Sequence, residues 1–148
     1  MTQANQAPAL TPHLICKDAA AAIDFYKEAF GAQEVMRIPG PSGALMHAAV
    51  SLNGATIFLV DENSGCGAMS PTSLGGTPVT FNLGVSDVDA SMARAQAAGA
   101  SVKMPAEDQF WGDRYGLMED PFGHRWAFVA PIRQMSEGEI REAAAAFA

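Results

Sequence analysis

The stretch Thr11-Pro12-His13-Leu14-Ile15-Cys16-Lys17-Asp18 is written again as Thr80-Phe81-Asn82-Leu83-Gly84-Val85-Ser86-Asp87, 69 residues further on, in a shared Thr-x-x-Leu-x-x-x-Asp frame. Each copy reads as a strand that opens a helix. The first helix stops at Gly31-Ala32 and the second at Gly99-Ala100, and strand pairs then turn at Asn53-Gly54 and at Phe122-Gly123. Landmarks that keep one offset to within a residue are the signature of an internal duplication.

Working outward, each copy expands into a βαβββ unit. In the first, residues 9–16 read as a strand. Asp18 reads as the N-cap of a helix that runs through Phe30 with Ile23, Tyr26 and Phe30 on one stripe, and Gly31 as its left-handed C-cap. Residues 33–38, 44–52 and 55–60 read as strands, the last two joined by the Asn-Gly hairpin signal. In the second unit, residues 78–85 form a strand, and Ser86 with Asp89 makes a capping-box-like start for a helix carrying Val88, Met92, Ala95 and Ala98. Strands near 100–104, 115–119 and 125–130 complete it. The predicted class is α+β: two tandem βαβββ modules, 9–62 and 78–131, forming a curved-sheet cleft. A Gly-, Ser- and Pro-rich linker, 63–77, joins them, and a helical tail, 132–148, follows, its Ala-rich helix opened by Ser136-Glu137-Gly138-Glu139 and assigned to packing or dimer contact.

Composition narrows the function. At 148 residues and 49% hydrophobic content, the chain buries a core sized for one domain or two fused half-domains. No apolar run reaches membrane-spanning length, and Met1–Pro8 lacks the basic and apolar regions of a leader, so a cytoplasmic protein without a membrane partner is expected. A net charge of −7 with nine scattered Lys and Arg excludes nucleic acid, whose phosphates need clustered cations. Cys16 in an apolar strand and Cys66 in a Gly-rich loop fit a reducing compartment. Phosphate-cradling glycine loops and a Gly-x-Ser-x-Gly elbow are both missing from the sequence.

Several words carry a family resemblance: Ala22-Ile23-Asp24-Phe25-Tyr26, Phe30-Gly31-Ala32, Met46-His47-Ala48, Leu74-Gly75-Gly76-Thr77-Pro78, Glu107-Asp108-Gln109-Phe110-Trp111-Gly112-Asp113-Arg114-Tyr115-Gly116 and Asp120-Pro121-Phe122-Gly123-His124-Arg125-Trp126. Set in two βαβββ units, they resemble the vicinal oxygen chelate superfamily, and within it the PhnB-like branch of glyoxalase, bleomycin-resistance and dioxygenase proteins. The resemblance implies a homodimer and, as in many members, a divalent metal held by four side chains from the first and last strands of each module. Those positions fall at Thr11, Phe58, Thr80 and Ala127. Phenyl and methyl groups offer no lone pair and a Thr hydroxyl is a poor ligand, so the usual metal centre is expected to be absent, and no cofactor is expected.

Other residues suggest a binding site. His13 shares a strand face with Thr11, Asn82 takes its place in the second module, and His47 alternates with Leu45 and Ala49, opposite the more apolar Met46, Ala48, Val50 and Leu52. The loop before Gly116 interleaves Phe110, Trp111 and Tyr115 with Arg114, offering flat apolar area beside a guanidinium; the bland alternative is a loop anchor with Arg114 paired to Asp108 or Asp113. His124 reads as a turn residue. The expected function is non-metal binding or sequestration of a planar or amphipathic organic molecule by His13, His47, Phe58, Asn82, Trp111, Arg114 and Tyr115. Two alternatives stand beside it: a metal-dependent lyase, isomerase or dioxygenase using His13, His47 and a further carboxylate, and a metal-free enzyme in which Arg114 or Tyr115 polarises a carbonyl.

Overall fold

The helices begin and end where their caps dictate. In the computed structural model, which describes residues 7–147, the elements run in this order: β1 (His13–Cys16), α1 (Ala19–Phe30), β2 (Gln33–Pro39), β3 (Leu45–Leu52), β4 (Ala55–Asp61), α2 (Pro71–Leu74), β5 (Thr80–Gly84), α3 (Val88–Ala98), β6 (Ser101–Asp108), β7 (Asp113–Glu119), β8 (Arg125–Pro131) and α4 (Glu137–Ala146). Asp18 is extended, and its carboxylate accepts from Ala21 N–H. Gly31 closes α1 at φ 74, a left-handed conformation that suits glycine, and the N–H groups of Gly31 and Ala32 donate to the carbonyls of Lys27 and Tyr26. The N-cap of α3 is Asp87, which accepts from Ala90 N–H, and not Ser86; Asp87 is the residue that the repeat aligns with Asp18, and a carboxylate also complements the helix dipole.

Each module makes its own sheet, in the orders β1-β4-β3-β2 and β5-β8-β7-β6. The β1–β4 and β5–β8 pairs are parallel, with His13 opposite Phe58 and Asn82 opposite Ala127. Both pairs are related by the 69-residue offset, so the duplication holds residue for residue in the strand register. Asn53 at φ 53 and Gly54 at φ 82 form the hairpin turn that the Asn-Gly signal predicts.

Alternation sends Leu14, Cys16, Val50, Leu52, Ile57 and Leu59 to the helix side, where they are buried. Met46 departs from the apolar face assigned to it. The β2–β3 pairing slips between Ile38 and Pro39, Leu45 is buried, and Met46 is left 65% exposed. Helix α1 buries Ala19, Ala22, Ile23, Phe25, Tyr26 and Ala29, too wide an arc for a single contact. One side rests on its own sheet; the other meets the second module, where Tyr26 and Phe30 stand 5.4 and 4.9 Å from Trp126, ring centre to ring centre.

Two hydrogen bonds that cross the module boundary end on carbonyls related by the duplication, from donors that are not. Asn53 Nδ2–H donates to the Gly84 carbonyl at 2.6 Å, and His124 Nε2 lies 2.9 Å from the Ile15 carbonyl. Gly84 and Ile15 are themselves 69 residues apart. Beside the second clasp lies buried Asp120, whose carboxylate accepts from the N–H groups of Phe122 and His124, from Trp126 Nε1–H and from the Tyr26 hydroxyl. Burial, and then the Asp120 charge, hold the Tyr26 hydroxyl neutral far above the usual phenol range; the Cys16 thiol is pushed up in the same way.

The linker carries more structure than its composition predicts. A 3₁₀ turn at Ser64–Cys66 is followed by α2. Glu62 accepts from Ser70 Oγ–H at 2.6 Å, Ser70 N–H at 3.0 Å and Ser73 Oγ–H at 2.8 Å, bonds that bring its pKa down to about 2. Helix α4 starts on the capping box of Ser136 and Glu139. Of the segments read above, Met1–Gln6 and Ala148 lie outside the described residues. No helix among the described residues is long and apolar enough to cross a membrane.

Asp120→Ala strips the acceptor from two buried side-chain donors and two turn N–H groups, and should cost at least about 3 kcal/mol in urea unfolding, with Tyr26→Phe costing about 1–2. The Glu62 contribution to stability should be complete above pH 4.5 and lost as pH falls to about 2. Ser70→Ala raises that pKa, so thermal melts of this variant should depend less on pH across the same window.

Candidate functional site

The sheet faces turned away from the helices gather most of the expected binding residues. On β1, β3 and β4, His13, His47 and Phe58 project to one face. Their rings meet edge to face, with centroids 6.3 Å apart for His13–His47, 6.0 Å for His13–Phe58 and 4.8 Å for His47–Phe58. Ile38, opposite His47, and Met36, opposite Ala49, extend this surface with exposed apolar area. Imidazole edges beside a phenyl ring suit contact with a flat ligand, since rings with such quadrupoles favour offset or edge-on partners.

The second module repeats the geometry with different chemistry. The β3–β4 pairing that sets Ala48 opposite Leu59 carries His47 to Val60, and β7–β8 sets Tyr115 opposite Val129. Tyr115 therefore holds the place of His47, Asn82 that of His13, and Ala127 that of Phe58. Trp111 stands 6.0 Å from Tyr115 and donates Nε1–H to Asp113 at 3.0 Å. It also packs on Phe110, which meets Phe147 beyond the end of α4 at 5.1 Å. The aromatic loop is thus anchored from behind while Trp111 adjoins the open face.

One open-face group was missed by the sequence reading. Arg125 lies two residues before Ala127, pairs with Glu119 at 3.2 Å, and borders a cavity of about 360 Å³ that Thr72 and Thr77 also line. Period-two alternation back from Ala127 is the signal that finds it.

Over residues 8–128 the sequence matches the family model described as Glyoxalase/Bleomycin resistance protein/Dioxygenase superfamily. The chain belongs to this superfamily. The Mycobacterium bovis protein Mb0911c is 55% identical over 142 residues, covering 94% of this chain and 93% of the relative. TioX from Micromonospora sp. ML1 superposes with a TM-score of 0.65 at 28% identity, over 84% of this chain and 99% of TioX. The PhnB protein of Bacillus cereus shares the fold, with a TM-score of 0.62 at 18% identity over 83% of this chain and 99% of that protein.

A metal centre of the superfamily's usual kind would draw on the first and last strands of each module. Strand β1 begins at His13, so the register sets His13 and Asn82 opposite Phe58 and Ala127, two residues beyond the Thr11 and Thr80 of the sequence frame. The set becomes an imidazole, a carboxamide, a phenyl and a methyl group. Among the described residues, no three His, Cys, Asp or Glu side chains gather as metal ligands. These residues do not fit a divalent centre, which needs at least three imidazole, thiolate or carboxylate donors.

Arg114 is the expected site residue that the structure removes from the open face. It is consecutive with Tyr115 on β7 and so projects to the opposite, helix-facing side, as does Gly116, where an added Cβ would strike Met92 of α3. Its guanidinium binds Asp89 of α3 at 2.7 Å, a bond that lowers the Asp89 pKa, and Asp108 at 2.9 Å. Of the two residues expected as alternatives for polarising a carbonyl, Tyr115 projects to the open face and Arg114 does not. Arg114→Gln should lower the melting temperature, most clearly at low ionic strength, because its exposed partners are screened by salt. Ligand affinity at the open faces should stay within about two-fold of the parent in fluorescence titrations.

Proposed function

We propose that this superfamily member is a cytoplasmic homodimer that binds or sequesters a planar or amphipathic organic molecule on its aromatic open faces, without a catalytic metal. The observation that carries this reading is the pair of aromatic clusters on the open faces: His13, His47 and Phe58 on one sheet, and Tyr115 and Trp111, near Asn82, on the other. His47 and Tyr115 supply rings at matching register positions, Trp111 adds a ring beside Tyr115, and the donor set at the first and last strands is too poor for metal chemistry. The acidic chain repels anions at long range, so an anionic head group needs a local cation. On the open faces that cation is Arg125, with its pairing to Glu119 as the competitor.

The probe 1-anilinonaphthalene-8-sulfonate combines a flat apolar body with one anionic group. It should quench Trp111 fluorescence on binding, and Phe58→Ala and Tyr115→Ala should each weaken it roughly ten-fold, equivalent to about 1.4 kcal/mol. Unchanged affinity in both variants would sink the proposal. Elemental analysis of protein purified without chelator provides a second arm. One equivalent of metal, lost in His13→Ala or His47→Ala, would replace this reading with the metal-dependent one. A monomer by light scattering at micromolar concentration would remove the dimer.

A further inference from the structure

The cavity of about 360 Å³ beside the second sheet holds a carboxylate as well as a guanidinium. Glu119 of β7 stands opposite Arg125 of β8, and Pro71, Thr72, Thr77 and Gly123 supply the other walls. The fold does not ask for this ion pair. Its counterpart in the first module is Ser51 opposite Thr56, related to Glu119 and Arg125 by the offset of the duplication to within one residue, so the same register accepts two neutral hydroxyls. Arg125 and Glu119 meet through a single bond, Nε–H to Oε1 at 3.2 Å, and both side chains are partly exposed. A pair of that kind contributes little to stability. Among the described residues, Nη1 and Nη2 of Arg125 and Oε2 of Glu119 have no protein partner.

The walls are fixed before any ligand arrives. Glu62 pins Ser70 and Ser73 at the start of α2, and the N–H groups of Gly75 and Gly76 both close on the Pro71 carbonyl. A Cβ built on Gly123 would strike Pro71, so the segment is seated directly on the β7–β8 turn. Thr77 accepts from Val79 N–H and keeps its own hydroxyl hydrogen for another acceptor. A cavity held this way spends little binding energy on ordering its walls.

One guanidinium and one carboxylate in contact give the cavity no net charge. A simple anion drawn to Arg125 meets Glu119, and a simple cation drawn to Glu119 meets Arg125. A molecule that carries both charges escapes both repulsions. Its carboxylate takes the planar Nη1 and Nη2 fork, and its ammonium donates to Glu119 Oε2. Because the two receiving groups touch, the charges of the ligand must be adjacent as well, which selects α-amino acids over isomers charged at opposite ends. The volume lies within the range of about 300–1,000 Å³ for small-molecule sites, which leaves room beyond the head group for a side chain.

We propose that this cavity binds a zwitterionic α-amino acid, with its carboxylate on Arg125 and its ammonium on Glu119. Arg125 is common to this site and to the reading of the open faces, but the aromatic clusters are not needed here, so binding of an amino acid stands or falls separately from binding of the anilinonaphthalene probe.

The test is a titration of ¹⁵N-labelled full-length protein with L-leucine at millimolar concentration. Shifts are expected at the Arg125 Nε–H and at the amides of Thr77 and Gly123. 4-Methylpentanoate, which lacks the ammonium, 3-methylbutylamine, which lacks the carboxylate, and 6-aminohexanoate, an isomer of leucine with separated charges, should each bind at least roughly ten-fold more weakly. Glu119→Gln should weaken leucine by a similar factor while tightening 4-methylpentanoate, since it removes the repelling carboxylate; a merely structural role for Glu119 would not move the two ligands in opposite directions. Arg125→Gln should weaken both. Four results would each overturn the proposal: no response to leucine at these positions, 4-methylpentanoate as tight as leucine, 6-aminohexanoate as tight as leucine, or leucine affinity unchanged in Glu119→Gln.

Discussion

The Asp120 carboxylate is the constraint on which the rest depends. It sits in the turn between β7 and β8, and it receives a hydroxyl from α1 in the other module and an indole N–H from β8. A buried carboxylate without such donors would be expelled toward water or protonated. With them, it fixes the turn, the rotamer of Trp126 and the rotation of α1 together. Helix α1 covers one face of the first sheet, and His13, His47 and Phe58 project from the other.

Much of this was legible in the sequence because it is local. Asp18, Gly31 and Asn53-Gly54 each need a particular backbone conformation, and each has it. The duplication then transfers one module's reading onto the other, and where the residue-by-residue motif disagreed with the repeat, as at Ser86 against Asp87, the repeat was the better guide. Alternation placed His13, His47 and Phe58 on one face, and the structure brings them together.

The misreadings come from strand boundaries and from register. A strand starting at Tyr115 leaves Arg114 in a loop, free to point anywhere; a strand starting at Asp113 forces it to the helix side. A strand starting before Thr11 makes that residue the partner of Phe58, whereas β1 starting at His13 does not. Boundaries depend on tertiary pairing, which no local signal encodes. The Glu62 clamp with Ser70 and Ser73 was hidden for a related reason, since hydroxyl-rich linkers have the same composition whether or not a carboxylate gathers them.

The two boundary clasps, Asn53 to Gly84 and His124 to Ile15, bear on descent. In an ancestral single module paired with its own copy, the two ends of the boundary would be identical, and any change would alter both at once. Fusion into one chain released that coupling. Here one end has an amide and the other an imidazole, and Phe58 and Ala127, once the same residue, differ by a whole ring. Covalent tandem duplication is what allowed the two halves of a symmetric ancestor to acquire unlike surfaces while one shared core kept them folded.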